Sequence, residues 1–217
     1  MKIGIIGGTG PQGQGIAMKL AKAGYEVLIG SRSNEKAHSV ASDLNEKMQT
    51  NNISGDTNNN VISSVKVVFL TIPYENVEST VQPLIDLIKD NIQIFIDVTV
   101  PMKFEKGYGM KHVKPEQGSM SALISGLISP VPVVGAFKTI GAHALLDITK
   151  PLNRDTFVYG PKTQRKEVID IISKIEDLRA IDAGPLDEAE TIERLVPFLI
   201  NINRRYKVKD SGIKVVM

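Results

Sequence analysis

KIGIIGGTGPQGQGIAMKLAKAGYEVLIGSRSNEK, residues Lys2–Lys36, is the stretch that decides the fold of this chain. Its branched apolar run Ile3–Ile6 has the length and composition of a buried strand. A glycine-rich turn follows, then apolar residues at helical spacing, then a second apolar run, Glu26–Ile29. Strand, glycine turn, helix and strand in this order are the context in which a GxGxxG pattern predicts a dinucleotide-binding unit.

The glycine turn contains two overlapping patterns, Gly8-x-Gly10-x-x-Gly13 and Gly7-x-x-Gly10-x-x-Gly13. Residues without a Cβ let the backbone turn sharply and approach a pyrophosphate, whose charge then lies on the first amides of the following helix. We therefore expect Gly8, Gly10 and Gly13 to belong to a cofactor site. The alternative is a tight turn with a structural role alone.

The end of the second predicted strand indicates which dinucleotide binds. An acidic residue there binds the ribose 2′-hydroxyl of NAD, whereas a basic one accommodates a 2′-phosphate. This strand ends in Ser31 and Arg32, with Lys36 one turn later and no carboxylate between them. A solvated basic turn is the alternative, but directly after a nucleotide-binding strand these residues favour NADP. Ser33 is placed to cap a helix that begins at Asn34.

Composition excludes several classes of protein. The chain has 217 residues, which suits one large domain or one domain with an appendage. A formal charge of +2 and 5% aromatic residues, with no Trp, give no indication of nucleic-acid binding. The absence of Cys excludes disulfides, thiol nucleophiles and Cys-ligated metals. With no apolar run of membrane-spanning length and no signal peptide, we expect a soluble cytoplasmic enzyme.

Three further apolar runs predict buried parallel strands: Val65–Leu70, Ile92–Val98 and Val131–Phe137, the last an edge or irregular strand because of its prolines. Each ends in a segment that a doubly wound sheet brings to its ligand crevice: Thr71-Ile72-Pro73, Thr99-Val100-Pro101 and Lys138–Ala142. Apolar backbone at such a crevice suits a flat nicotinamide ring. The fold expected is an α/β Rossmann fold with a doubly wound parallel sheet.

The rest of the chain alternates two short predicted strands, Thr156–Tyr159 and Arg179–Asp182, with helical patterns. We expect an NADP-binding domain over residues 1–150 and a helical extension over 151–217, packed together as one unit. Residues Asp187–Arg205 form the longest helical pattern, which Pro197 should bend. Residues 50–60 are expected to be a loop, either throughout or with a very short strand around Ile53, and residues 102–118 are expected to be a loop. The lysines of the second loop either attract an acidic substrate tail or are solvated.

No catalytic or metal-binding constellation stands out in the sequence. His38, His112 and His143 are far apart and lack metal-ligand spacing, so each is interpreted as incidental. No nucleophile with a partner base and no pair of carboxylates is indicated. Hydride transfer is consistent with this pattern, because the cofactor carries the chemistry and the protein supplies position and electrostatics.

Motifs along nearly the whole chain resemble one family, the NADPH-dependent coenzyme F-420 reductases. The motifs are GGTGPQGQG, SR…K after the second strand, LTIPYE, the VP step at 100–101, KTI-x-A at 138–142, DAGPL at 182–186 and the final SGIK. These enzymes move a hydride between NADP(H) and a 5-deazaflavin, coenzyme F-420. The resemblance implies a Rossmann domain with a small helical C-terminal part. It also implies a homodimer whose partners are small-molecule coenzymes.

The resemblance also implies roles for individual residues. Pyrophosphate contacts would come from Thr9, Gly10, Pro11 and Gln12, and 2′-phosphate contacts from Thr9, Ser31, Arg32 and Lys36. The cleft for the nicotinamide and deazaflavin rings would be lined by Ile72, Asn76, Val100, Ala142 and Ser211.

The chain departs from the family pattern close to where the second coenzyme binds. Lys138 stands in place of His, Gly141 in place of Pro, and Arg194 and Val196 in place of small hydroxylated residues. Lys138 either hydrogen-bonds a deazaflavin carbonyl or points to solvent. Two alternative functions stay open: an NADP-dependent reductase of a flavin, ferric chelate or imine, and a non-catalytic NADP-sensing module.

Overall fold

The first strand–helix–strand unit forms as the sequence predicts. In the computed structural model, which describes residues 1–216, strand β1 spans Lys2–Ile6, helix α1 Pro11–Lys22 and strand β2 Glu26–Ser31. Pro11 occupies the first turn of α1, where its missing amide costs no helical hydrogen bond. The glycine turn therefore lies between the carboxyl end of a central strand and the amino end of a helix.

The remaining strands are β3 Ile53–Thr57, β4 Val67–Leu70, β5 Ile94–Asp97, β6 Met102–Glu105, β7 Gly109–His112, β8 Val133–Gly135, β9 Arg154–Val158 and β10 Leu178–Asp182. The remaining helices are α2 Asn34–Met48, α3 Asn58–Ser64, α4 Val77–Val81, α5 Ile85–Asn91, α6 Met120–Ile128, α7 Ala142–Leu146, α8 Lys162–Ile172 and α9 Ala189–Tyr206.

Six parallel strands form the central sheet, in the order β3-β2-β1-β4-β5-β8. The chain starts in the middle, builds outward through β2 and β3, and then returns to build the other side from β4. The strand order thus reverses between β1 and β4, and a doubly wound sheet opens its ligand crevice at such a point. β8 lies at the sheet edge, as its flanking prolines predict.

Two apolar layers cover the two faces of this sheet. On one face, Ile3, Ile5 and Ile29 pack with residues of α1, α2 and α8. On the other face, Ile6 and Val68 pack with residues of α3, α4, α5 and α6. Successive strand residues point to opposite faces, so strands buried on both sides require the continuous apolar runs found in the sequence.

Both predicted loops contain regular structure. Residues 102–118 include an antiparallel hairpin of β6 and β7, with Gly107 at φ +89° in its turn. Residues 50–60 include β3 and the start of α3, whose cap is the Thr57 hydroxyl accepting from the Asn60 amide at 3.3 Å. The loop prediction for 102–118 was wrong, whereas the short strand considered around Ile53 is present as β3. Turn-forming residues here cap and connect short elements rather than replace them.

The C-terminal part contains β9, α8, β10 and α9. β9 and β10 form a separate two-stranded parallel sheet, joined to β8 by an antiparallel bridge between Gly135 and Tyr159. α9 continues through Pro197 and is followed by a segment that forms no helix or strand up to residue 216. Across residues 1–216, no helix combines the length and apolar character that crossing a membrane requires.

Candidate functional site

A cleft opens at the carboxyl ends of β1, β4, β5 and β8. It consists of a cavity of about 900 Å³ and a smaller one of about 360 Å³, which share Gly10, Thr71, Ile72 and Pro73 as lining residues. The smaller cavity is also lined by Thr9, Ser31, Arg32, Lys36 and Asn76, and the larger one by Pro11, Gln12, Val100, Ala142 and Ser211. The predicted site residues thus converge on one continuous surface, apart from Gly8 and Gly13.

Gly8 and Gly13 lie behind the turn, where the first turn of α1 meets the sheet. A Cβ on Gly13 would stand 2.6 Å from Cα of Gly8, and one on Gly8 would stand 2.6 Å from Cβ of Ile29. A Cβ on Gly10 would meet only the Gly7 carbonyl oxygen, at 3.5 Å. The absence of a side chain thus permits close packing at Gly8 and Gly13, but keeps space open towards the cleft at Gly10.

The amino end of α1 offers backbone donors to this open space. The first helical bond runs from the Gln14 amide to the Gly10 carbonyl at 2.9 Å, so the amides of Gln12 and Gly13 precede it. Such amides, with the helix dipole, favour a bound anion. Two side chains hold the turn in place: Gln14 Nε2 donates to the Thr9 carbonyl at 2.8 Å and Gln12 Nε2 to the Ile140 carbonyl at 3.1 Å.

Beyond the turn, the smaller cavity ends in a cationic corner. The Ser33 hydroxyl caps α2 by accepting from the Lys36 amide at 3.2 Å, and the Ser33 amide donates to Ser31 Oγ at 3.2 Å. The Ser31 hydroxyl therefore keeps its own hydrogen available for donation. Within residues 1–216, no carboxylate lies within 4.0 Å of the charged groups of Arg32 or Lys36. This corner has the charge and donors to hold a phosphate monoester.

The larger cavity is mainly apolar. Ile72, Val98, Val100 and Ile140 come from the strand ends, and α9 adds Val196, Leu199 and Ile200. Of these α9 residues, Val196 was placed near the second coenzyme by the family resemblance, whereas Leu199 and Ile200 were missed. Their helical periodicity showed an apolar face, but the periodicity alone did not indicate that this face meets a cleft rather than the core.

Lys138 lines the larger cavity but does not point to solvent. Its side chain is 1% exposed, and its ammonium group donates to Asp97 Oδ2 at 2.6 Å, to Glu193 Oε1 at 3.0 Å and to the Thr99 carbonyl. All three ammonium hydrogens are therefore used within the protein. Burial alone would lower the pKa of Lys138, but the Asp97 and Glu193 carboxylates outweigh it and hold the pKa above its ordinary value.

Further buried donors complete this network. Asp97 Oδ1 accepts from the Thr99 amide and hydroxyl, and its Oδ2 accepts from Ser121 Oγ at 2.6 Å. Glu193 Oε2 accepts from the Met120 amide at 3.0 Å. Ser121 Oγ lies 2.9 Å from the Tyr159 hydroxyl, whose pKa burial raises above its ordinary value. The network joins the ends of β5 and β8 to α6 and α9 beneath the larger cavity.

The other departures from the family pattern divide between cleft and surface. Gly141 and Val196 line the larger cavity. Arg194 is exposed and pairs with Glu190 on its own helix at 3.4 Å. The substitution at Arg194 therefore leaves the described wall of the cleft unchanged, whereas those at Gly141 and Val196 alter its surface.

The lysines of residues 102–118 lie away from the cleft wall. Lys111 pairs with Glu105 at 3.1 Å and Lys114 with Glu190 at 2.8 Å, and Met102 is the residue of the hairpin that lines the larger cavity. The cleft instead receives cations from the segment after α9, which the sequence reasoning did not single out: Lys207 and Lys209, with Arg204 from the last helical turn.

The histidines occupy three different environments. His143 lines the larger cavity, and His38 is exposed on α2. His112 is largely buried, with Nε2 3.9 Å from Glu193 Oε2, and burial lowers its pKa. Over the described chain, no group of three His, Cys, Asp or Glu side chains is arranged to hold a metal ion.

Comparisons with known proteins place this cleft in a family. Residues 2–101 match the family model described as "NADP oxidoreductase coenzyme F420-dependent". The "F420-dependent NADP reductase" of Methanothermobacter thermautotrophicus is 37% identical, aligned over 99% of this chain and 94% of its own length. The same-named protein of Methanocaldococcus jannaschii is 34% identical, with 99% and 98% covered.

A solved structure shares the whole fold. It is described as a putative F420-dependent NADP reductase from Arthrobacter sp. FB24, with a TM-score of 0.81, 22% identity and full coverage of both chains. Because the two archaeal relatives are more than 30% identical over nearly their full lengths, the chain belongs to the family of F420-dependent NADP reductases.

Proposed function

We propose that this protein transfers a hydride between NADP(H) and the deazaflavin coenzyme F-420. The observation that carries the proposal is the continuous cleft, cationic at the Arg32 end and apolar beneath α9, with the glycine turn between. The cationic end suits the 2′-phosphate of NADP(H), and the apolar end suits two stacked rings. The family relationship supports the same activity.

The glycine turn and the smaller cavity together fit NADP(H). The amides of Gln12 and Gly13 would hold the pyrophosphate above Gly10, whose missing side chain leaves that space open. Ser31, Arg32 and Lys36 would hold the 2′-phosphate, with Thr9 between the two groups. Asn76 lines the same cavity from the segment after β4.

The larger cavity fits the reacting rings. When bound, NADPH supplies the hydride and the deazaflavin accepts it. Ile72, Val100 and Ala142 would hold the rings face to face, and the α9 side chains Val196 and Leu199 would keep water away from them. The protein's contribution is then position and exclusion of water, with the Lys138 network fixing α9 to the strand ends below.

The proposal extends to assembly and organisation. We propose a cytoplasmic homodimer, with residues 1–150 as the NADP-binding domain and 151–217 as an extension that completes the cleft. Phe198 and Tyr206 on α9 are 57% and 76% exposed, which gives the extension apolar surface for a second copy. A dimer would elute at twice the 23.7 kDa chain mass in light-scattering chromatography.

The test of the reaction uses NADPH deuterated at the transferring face. The purified protein, NADPH and oxidised coenzyme F-420 are mixed, and loss of deazaflavin absorbance is followed. We expect turnover, with the label recovered on the deazaflavin. Label released into solvent would contradict direct transfer, and turnover with a flavin, ferric chelate or imine in place of the deazaflavin would contradict the choice of acceptor.

A substitution in the cleft separates binding from transfer. Ala142→Phe would fill ring space in the larger cavity, which lies apart from the Arg32 corner. We expect turnover to fall sharply while NADPH still binds more tightly than NADH. An Ala142→Phe variant with native turnover would show that the rings lie elsewhere.

A further inference from the structure

The larger cavity has three exposed cationic lining residues that the smaller cavity, which contains Arg32, does not share. They are Arg204, Lys207 and Lys209. Arg204 belongs to the last turn of α9, Lys207 is its left-handed C-cap at φ 52°, and Lys209 lies beyond the helix. The rim formed by these three residues is called the cationic rim below.

The turn that carries the rim is held in one conformation by Asn203. Its carbonyl accepts from the Val208 amide at 3.0 Å, and its side-chain oxygen accepts from the Ser211 amide at 2.7 Å. Ser211 Oγ also donates to the Leu199 carbonyl at 3.1 Å. The two lysines therefore project from an ordered loop that borders the cleft.

The rim keeps a net positive charge. Asp210, which follows Lys209 and lines the same cavity, is paired with Arg154 at 2.8 Å. Arg204 lies over the Phe104 ring, 4.9 Å from its centroid, and no carboxylate of residues 1–216 lies within 4.0 Å of its guanidinium group. Among residues 1–216, no carboxylate lies within 4.0 Å of the ammonium groups of Lys207 or Lys209.

We propose that the cationic rim is a subsite for the anionic tail of the second coenzyme. This inference rests on the proposed function, because it takes the second ring to be the deazaflavin. Coenzyme F-420 carries a phosphodiester and carboxylates on the chain attached to its ring. With the ring against Ala142 and Val196, that chain leaves the cleft past the rim, and Lys207 and Lys209 bind its phosphate and carboxylate groups.

Cations at the end of a helix also stabilise the helix itself, so a change in stability would not test this assignment. The test is the Michaelis constant for two acceptors with the same ring: coenzyme F-420 and its riboside, which lacks the charged tail. Native protein should show the lower KM for coenzyme F-420, and added salt should shrink the difference because exposed charges are screened.

The double substitution Lys207→Gln and Lys209→Gln should raise KM for coenzyme F-420 by roughly threefold to tenfold, the effect expected from the loss of two exposed ion pairs. KM for the riboside should not change. Lys89→Gln is the matched control, since Lys89 also lies in the last turn of a helix but away from the cleft.

The possible failures are distinguishable. Equal KM values for the two acceptors in the native protein would overturn the subsite while leaving the proposed function intact. A double variant that raises both KM values equally would do the same, because its effect would then be structural. If neither acceptor is reduced by NADPH, the proposed function fails and the subsite with it.

Discussion

Lys138 and Glu193, 55 residues apart in sequence, form a fully buried ion pair with Nζ 3.0 Å from Oε1. Lys138 follows the edge strand β8, and Glu193 lies in the second turn of α9. The pair, with Asp97 as its third member, fixes the C-terminal helix to the carboxyl edge of the sheet. The shape of the cleft therefore depends on a contact that lies beneath its wall.

Removing this ammonium group should destabilise the protein strongly. Lys138→Met keeps most of the side-chain volume but leaves Asp97 and Glu193 buried without a cation. A broken buried ion pair costs about 3–5 kcal/mol. Urea unfolding should show a midpoint lowered accordingly. Lys111→Met, which breaks the exposed pair with Glu105, should cost less than about 1 kcal/mol. Equal effects of the two substitutions would contradict the role assigned to the network.

Because of His112, the free energy of unfolding should decrease as the pH is lowered below 6.5. Burial lowers its pKa below the ordinary 6.5, against the opposing effect of Glu193 and Glu190 and with a smaller contribution from Arg194. The unfolded chain therefore binds the proton at a higher pH than the folded protein does. Above pH 6.5 the imidazole is neutral in both states and does not change the free energy of unfolding. As the pH falls from 6.5 towards the pKa of the folded protein, the unfolded chain takes up more protons than the folded protein does, so the free energy of unfolding decreases.

The measurement is urea unfolding at pH 7.5 and at pH 5.5. His112→Gln should lose less stability than the native protein between the two values. His38→Gln, at an exposed position on α2, should follow the native protein. If all three proteins showed the same change, His112 would not contribute to the pH dependence.

Two glycines of one motif should respond differently to substitution. Gly13→Ala places a Cβ 2.6 Å from backbone and should destabilise the fold by about 1–3 kcal/mol. Gly10→Val meets no protein atom closer than 3.5 Å at its Cβ, so the fold should persist while NADPH binding is lost. Thermal unfolding and NADPH titration check both. Normal NADPH binding by Gly10→Val would mean that the pyrophosphate lies elsewhere.

Cofactor preference should depend on Arg32. Its guanidinium lines the smaller cavity without a carboxylate partner in the described chain, so it is available to a 2′-phosphate. Arg32→Ala should weaken NADPH binding about tenfold to a hundredfold, the value of one charge-assisted contact. NADH binding should change little. Calorimetric titration of the native protein with both cofactors decides the point, and equal affinities would contradict it.

The amino-acid sequence by itself determined the sheet and the position of the glycine turn. Residues 2–36 carry the strand, the helix start and the Ser33 cap within one local stretch, and each signal depends on near neighbours. The apolar runs before Thr71, Thr99 and Lys138 likewise placed three more strand ends at the crevice. Parallel strands require this, because their carboxyl ends share one edge of the sheet.

Only the tertiary structure decided what surrounds the second half of the cleft. Lys138 is a surface residue type, and its burial depends on Asp97 and Glu193, which lie 41 and 55 residues away. The hairpin β6–β7 is likewise held by Asn201 of α9, which bonds the Met110 amide and carbonyl from 91 residues away. These contacts depend on how α9 packs across the sheet edge. A local sequence pattern does not predict contacts between residues so far apart in the chain. The buried environment of Lys138 therefore follows only from the tertiary structure, which places the Asp97 and Glu193 carboxylates beside its ammonium group.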